Sequence, residues 1–149
     1  MTAASFRFLP RLGTDGGAAA EFALIVPVLL LLIVGIFEFG RAYWIQNNLQ
    51  FAAEEAGRWV MVNSSPVPST ATVHSHFNTK LVAVNAAAVT FTTSTAAIPG
   101  VVPGTQALVI NATYTFTFLP ALSNLVASFP GGGGLPVVTL RGRSVAPLN

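Results

Sequence analysis

The sequence predicts an α+β fold in which a long N-terminal helix, half membrane-spanning and half amphipathic, packs on a small antiparallel β-sheet of about three strands with short extra helices. Three observations carry that reading. A twenty-residue stretch, Ala18–Phe37, contains a single charged side chain. An apolar stripe at near-heptad spacing continues beyond it as far as Trp59. The remainder of the chain is Thr-rich, with short alternating segments separated by Pro and Gly. Composition agrees. Of 149 residues 52% are hydrophobic and 8% charged, against roughly a quarter charged in an ordinary soluble domain. This argues against a free cytosolic enzyme and a disordered chain. The net charge of +2 comes from seven Lys/Arg and five acids, too few cations in any one place to neutralise many phosphates, so no nucleic acid is expected as a partner. Cysteine is absent, which removes disulfides and thiolate chemistry together.

The chain divides into four parts. Residues 1–16 form a basic leader with Arg7, Arg11 and the amino terminus against Asp15. Residues 17–40 form a transmembrane helix: Ala18–Phe37 would be about 30 Å long, the thickness of a bilayer's hydrocarbon core. Membrane lipid is therefore a partner. The run is too long for the apolar core of a cleavable signal, and no small-residue cleavage site follows it. Basic residues before the span outnumber Arg41 after it, which places the head in the cytoplasm. Inside the span, Pro27 lacks an N–H and clashes with the carbonyl of Ala23, so a kink is expected there.

Residues 41–63 extend the helix. Ile45, Leu49, Ala52, Ala56 and Trp59 recur at steps of four and three along one face. Gln46, Asn47, Gln50, Glu54 and Arg58 lie mostly away from it, with Glu54 and Arg58 spaced as an i,i+4 pair. Glu38 and Arg41, three apart at the outer membrane boundary, read as an anchoring pair. One helix from about Ala18 to Val62 would measure roughly 68 Å, ended by Asn63-Ser64-Ser65-Pro66. The partner for its apolar stripe is its own β-domain or another chain.

Residues 64–149 form a small extracytoplasmic domain. Val73, Phe77, Leu81 and Val84 are helically spaced, predicting a helix over Thr70–Val84. Ala88–Thr95 alternates as a strand. In Gln106–Phe118, Leu108, Ile110, Ala112, Tyr114, Phe116 and Phe118 face one way; Val109, Asn111, Thr113, Thr115 and Thr117 face the other. Leu122, Leu125, Val126 and Phe129 follow Pro120 as a short amphipathic helix. A last strand spans Leu135–Val145, after the glycine run Gly131–Gly134. The sheet packs on the long helix, which supplies the support that disulfides give other small exported domains.

Residue by residue, the N-terminal part resembles a known family. The run Gly16-Gly17-Ala18-Ala19-Ala20-Glu21-Phe22-Ala23-Leu24, then Pro27, then Gly35-Ile36-Phe37-Glu38-Phe39-Gly40-Arg41, is similar to the TadE-like pseudopilins of bacterial tight-adherence (Flp-type) pilus systems. The resemblance covers roughly Arg11–Gly57. It implies a pilin-like fold and cleavage by a prepilin peptidase after Gly16, which makes Gly17 the new amino terminus and Glu21 the fifth residue of the mature chain, followed by an aromatic, Phe22. A cut one residue later would leave Glu21 at position four. The resemblance further implies other pilins and pseudopilins and an inner-membrane secretion platform as partners, in a context of adhesion and biofilm formation. Physical chemistry points the same way. A carboxylate in hydrocarbon costs several kcal/mol unless it finds a partner or an interface. Either Glu21 lies in the headgroup zone, or it pairs with the Gly17 ammonium of a neighbouring subunit, offsetting part of both desolvation costs and fixing axial register.

Chemistry is scarce elsewhere. His74 and His76 are two apart and point in different directions on a helix, so no metal site is expected. No carboxylate follows Glu55 to serve acid–base work. The four glycines lack a following Gly-Lys-Ser/Thr and form a loop, not a phosphate cradle. Arg141 and Arg143 share a solvated strand face, and the Thr face is available as a pairing surface. No catalytic residue, cofactor or small-molecule substrate is expected. The reading is a minor pseudopilin; its rival is a signal-anchored single-pass protein whose outer β-domain binds a ligand or envelope component.

Overall fold

A computed structural model describes residues 15–97 and 106–148. The expected leader lies outside these residues up to position 14. The first element, α1, is one helix of 48 residues, Asp15–Val62, about 72 Å long. It runs through Pro27 without interruption. Its two halves meet different surroundings. Phe22, Leu24, Ile25, Leu32, Ile36 and Phe37 are all exposed, whereas Ile45, Leu49, Ala52, Ala56 and Val60 are buried. The sequence pattern explains the division: apolar residues on every side as far as Phe37, then on one stripe only. At its end the N–H of Asn63 donates to the carbonyls of Trp59 and Val60, and the Asn63 amide donates to Trp59 O as well.

The body begins with α2, Thr70–Lys80, whose first turn is capped by Ser69 Oγ accepting from Thr72 N at 3.2 Å. A single 3₁₀ turn, Ala86–Ala88, leads into three strands: β1 Val89–Ala97, β2 Gln106–Phe116 and β3 Val138–Pro147. A short helix, α3 Pro120–Ala127, lies between β2 and β3. The sheet is antiparallel, ordered β1-β2-β3, with β2 central. Leu108, Ile110, Ala112 and Phe116 on the inner face of β2 are buried and Tyr114 is half-buried, as the alternation requires. They close on the stripe of α1 and on Val73 and Phe77 of α2 in one core. An α+β architecture of one long helix on a three-stranded sheet is thus what the sequence predicts.

The differences lie at element ends. The second helix stops at Lys80 rather than Val84, because the Asn48 side chain of α1 intervenes. Its Oδ1 accepts from Val82 N and Ala83 N, and its Nδ2 donates to Lys80 O. Leu81 and Val84 still pack on the core from the extended chain that follows. Strand β2 ends at Phe116, not Phe118, because Thr117 O is taken by Arg41. Strand β3 starts at Val138, not Leu135. The Glu54–Arg58 pair does not form: Arg58 reaches Glu55 at 3.0 Å, and Glu54 accepts instead from Gln50. Arg58 and Glu54 are exposed and their partners half-buried, and on a helix surface three- and four-residue spacings compete on nearly equal terms.

Candidate functional site

Three groups of residues stand out, in order along α1. The first is the start of the helix. Gly16 and Gly17 lie in its first turn, and Glu21 and Phe22 follow about one turn later, all exposed. The described residues form two ion pairs, Glu38–Arg41 and Glu55–Arg58, and Glu21 belongs to neither. Among the described residues this segment of α1 is exposed throughout, and its apolar side chains face outward. A surface of that kind is stable against lipid or against the apolar surfaces of other helices.

The second group joins the membrane half to the body. Glu38 is 2% exposed. Its carboxylate accepts from Arg41 through Nε at 3.2 Å and Nη2 at 2.8 Å, and from Leu119 N at 3.0 Å. Leu119 is the N-cap position of α3 and has no side-chain acceptor of its own; its N–H is taken by an acid on another helix, as the N3 acid of a capping box would take it. Arg41 Nη2 donates onward to Thr117 O at 2.8 Å, and its guanidinium lies 4.4 Å from the centre of the Phe116 ring. Phe39 meets Phe118 edge-on. The two charges read from sequence as a boundary pair therefore also hold the β2–α3 connection against α1.

The third group was not singled out from the sequence. Gln46 Oε1 accepts from Arg141 N at 3.0 Å, and its Nε2 donates to Arg141 O at 2.6 Å. Gln50 repeats the arrangement with Arg143, both bonds at 3.0 Å. The two primary amides stand where the peptide groups of a neighbouring strand would be. The fit is metrical: four residues of helix rise about 6.0 Å and two residues of strand about 6.6 Å, so side chains at i,i+4 meet backbone at j,j+2. Gly142 lies between these rungs, where a Cβ would overlap the carbonyl of Leu49. The signal available in the sequence was the i,i+4 pair of glutamines flanking an apolar stripe.

On the outer face of the sheet, cross-strand rows run Thr90, Thr113, Arg141 and Thr92, Asn111, Arg143. All of these but Thr90, together with Ser94, border a shallow depression that carries two cations and no carboxylate. His74 stacks on Phe91 and His76 on Trp59, so the two imidazoles serve separate aromatic contacts. Among the described residues no group of three His, Asp or Glu is placed to hold a metal ion.

A long apolar helix continuing into an amphipathic half that docks on a small antiparallel sheet defines the class: an α+β protein built on one N-terminal helix whose first part is long and apolar enough to cross a membrane. Within that class, a family model described as TadE-like protein matches residues 16–58. The matched segment runs from the first glycine of α1 to the last turn before Trp59. Over that segment, less than a third of its length, the chain is similar to TadE-like proteins. Comparison with curated proteins and with solved structures gave no match.

Proposed function

We propose that this chain is a minor pseudopilin that takes part in assembling or anchoring a tight-adherence pilus. A prepilin peptidase cleaves it after Gly16, and Glu21 then pairs with the amino terminus of a neighbouring subunit. One observation carries the proposal: the TadE-like match begins at Gly16 and covers a helix whose membrane half is apolar on every side except at Glu21. Four residues separate the Gly17 ammonium from the Glu21 carboxylate, about 6 Å of helix rise. A neighbour displaced axially by that distance brings opposite charges level in an environment where nothing else compensates them. The peptidase, the sister pilins and pseudopilins and an inner-membrane secretion platform are the partners. The amino terminus is cytoplasmic and the β-domain extracytoplasmic.

The intact mass of the protein from a membrane fraction of its native host tests the first step. A chain beginning at Gly17 is expected. A chain beginning at Met1, in cells with a working peptidase, would leave a signal-anchored protein with an outer binding domain as the reading. For the second step, Glu21→Gln is expected to abolish co-purification with partner pilins while leaving membrane insertion intact. Unchanged co-purification would remove Glu21 from the assembly contact.

A further inference from the structure

Resting on the reading that α1 crosses a membrane, the geometry points to a second lipid contact: the connection between β2 and β3, residues 117–137, seats in the headgroup region of the leaflet from which α1 emerges. The argument begins with level. Strand β3 runs beside α1 in the same direction, Arg141 against Gln46 and Arg143 against Gln50. Three residues back from Arg141 is about 10 Å, or about seven residues of helix, which sets Val138 beside Phe39–Gly40. The other end of the connection is fixed directly, by Leu119 N on Glu38 and by Phe118 on Phe39. Both ends therefore lie within about 5 Å, along the helix axis, of Phe37, the last residue of the lipid-length run. Between them, α3 packs on α1 rather than folding back over the sheet.

The surface at that level suits an interface. No charged residue occurs from Leu81 to Leu140. The connection exposes Leu119 (50%), Phe129 and Val137 (62%). On α1, Phe39 is exposed at that level and Tyr43 and Trp44 about one turn further out, the last two being the aromatic types that collect at membrane–water boundaries. An uncharged segment with exposed apolar side chains, held beside an aromatic belt, matches the way monotopic elements sit among headgroups and outer acyl carbons. The occupant is a phospholipid interface because this surface is continuous with the lipid-facing surface of α1. The Glu38–Arg41 clamp then fixes how the body stands on the membrane, at two points instead of one.

The absence of cysteine gives a clean test. The full-length protein with Phe129→Cys, or separately Val137→Cys, carries an environment-sensitive fluorophore and is reconstituted in phosphatidylcholine–phosphatidylglycerol vesicles containing spin-labelled lipids. Leu30→Cys in the span and Thr92→Cys on the outer sheet face serve as references. Both tip labels are expected to be quenched at least about twofold more than the Thr92 label, by lipids labelled near the headgroup. Leu30 is expected to respond to lipids labelled deep in the acyl chain. Tip labels as unquenched as Thr92, with Leu30 quenched, would overturn the second contact and leave the anchor standing. An unquenched Leu30 label would overturn the anchor reading itself, and this inference with it. Tip emission that follows protein density in the membrane rather than lipid quencher would assign the surface to contact between copies and refute the lipid contact.

Discussion

At the scale of single residues, Gln46 and Gln50 do for β3 what a fourth strand would otherwise do. An edge strand presents alternating unpaired N–H and C=O groups, a template for unwanted pairing. Here the groups of Arg141 and Arg143 are satisfied by side chains of the molecule's own helix. A primary amide is required, since only a group carrying both donor and acceptor can serve one residue's N–H and C=O together. Two substitutions separate the halves of this bond. Gln46→Met removes donor and acceptor, so the Arg141 amide is expected to exchange its hydrogen faster, with stability reduced by about 1 kcal/mol. Gln46→Glu keeps the acceptor and turns the donor into an oxygen facing the Arg141 carbonyl. Stability is then expected to fall by a similar amount while the Arg141 amide stays protected. Amide exchange followed by NMR or mass spectrometry in detergent distinguishes them, and equal exchange in both variants would refute the bidentate arrangement.

At the scale of elements, what the sequence discloses is periodicity. The 3.6-residue stripe of α1 and the two-residue alternation of β2 are local properties of the chain, and both elements occur where their patterns place them. Their ends are set by contacts that no local pattern records. Asn48 ends α2 from 32 residues away along the chain, and Arg41 and Glu38 set the β2–α3 corner from 76 and 81 residues away. The Gln46 and Gln50 rungs are equally non-local. Their residue types were visible and their target was not, because the register between helix and strand depends on how closely two backbones approach. That approach is governed by small residues on both elements. A Cβ at Gly142 would meet backbone, the carbonyl of Leu49, whereas one at Gly57 would meet the side chain of Ser144, whose hydroxyl can rotate aside while its Cβ, 3.2 Å away, must give by a few tenths of an ångström. Gly142→Ala is therefore expected to push β3 away from α1, strain both glutamine rungs and lower stability by about 1–3 kcal/mol, the range for overpacking. Gly57→Ala is expected to cost less. Thermal melts of the two variants beside the parent check the order, and the reverse order would mean that β3 docks by side-chain contact rather than backbone approach.

At the scale of the whole molecule, one helix is built for two solvents, and the division falls at Glu38. Before it, the apolar side chains are mostly exposed; after it, they form one side of the only core the β-domain has among the described residues. Two leucines of α1 make the contrast measurable. Leu30 is 49% exposed and Leu49 is 0% exposed. In a polar environment both would favour burial equally, since the side chain is the same. In a membrane or a detergent micelle, Leu30 already has its apolar surroundings in the folded body and in the unfolded one. Leu49 exchanges water for the core only when the sheet docks. Leu49→Ala is therefore expected to cost about 2–5 kcal/mol, the range for truncating a buried leucine, and to separate the body from α1 before the membrane half is disturbed. Leu30→Ala is expected to leave the body's melting temperature within the scatter of surface substitutions, about 0.5 kcal/mol. Thermal denaturation in detergent, followed by near-ultraviolet circular dichroism in the Trp and Tyr bands, reads the part of the molecule after the membrane half, since both Trp and both Tyr lie beyond residue 40. Equal losses from the two variants would mean that the membrane half folds with the body as one unit, and that the division of labour along α1 does not hold.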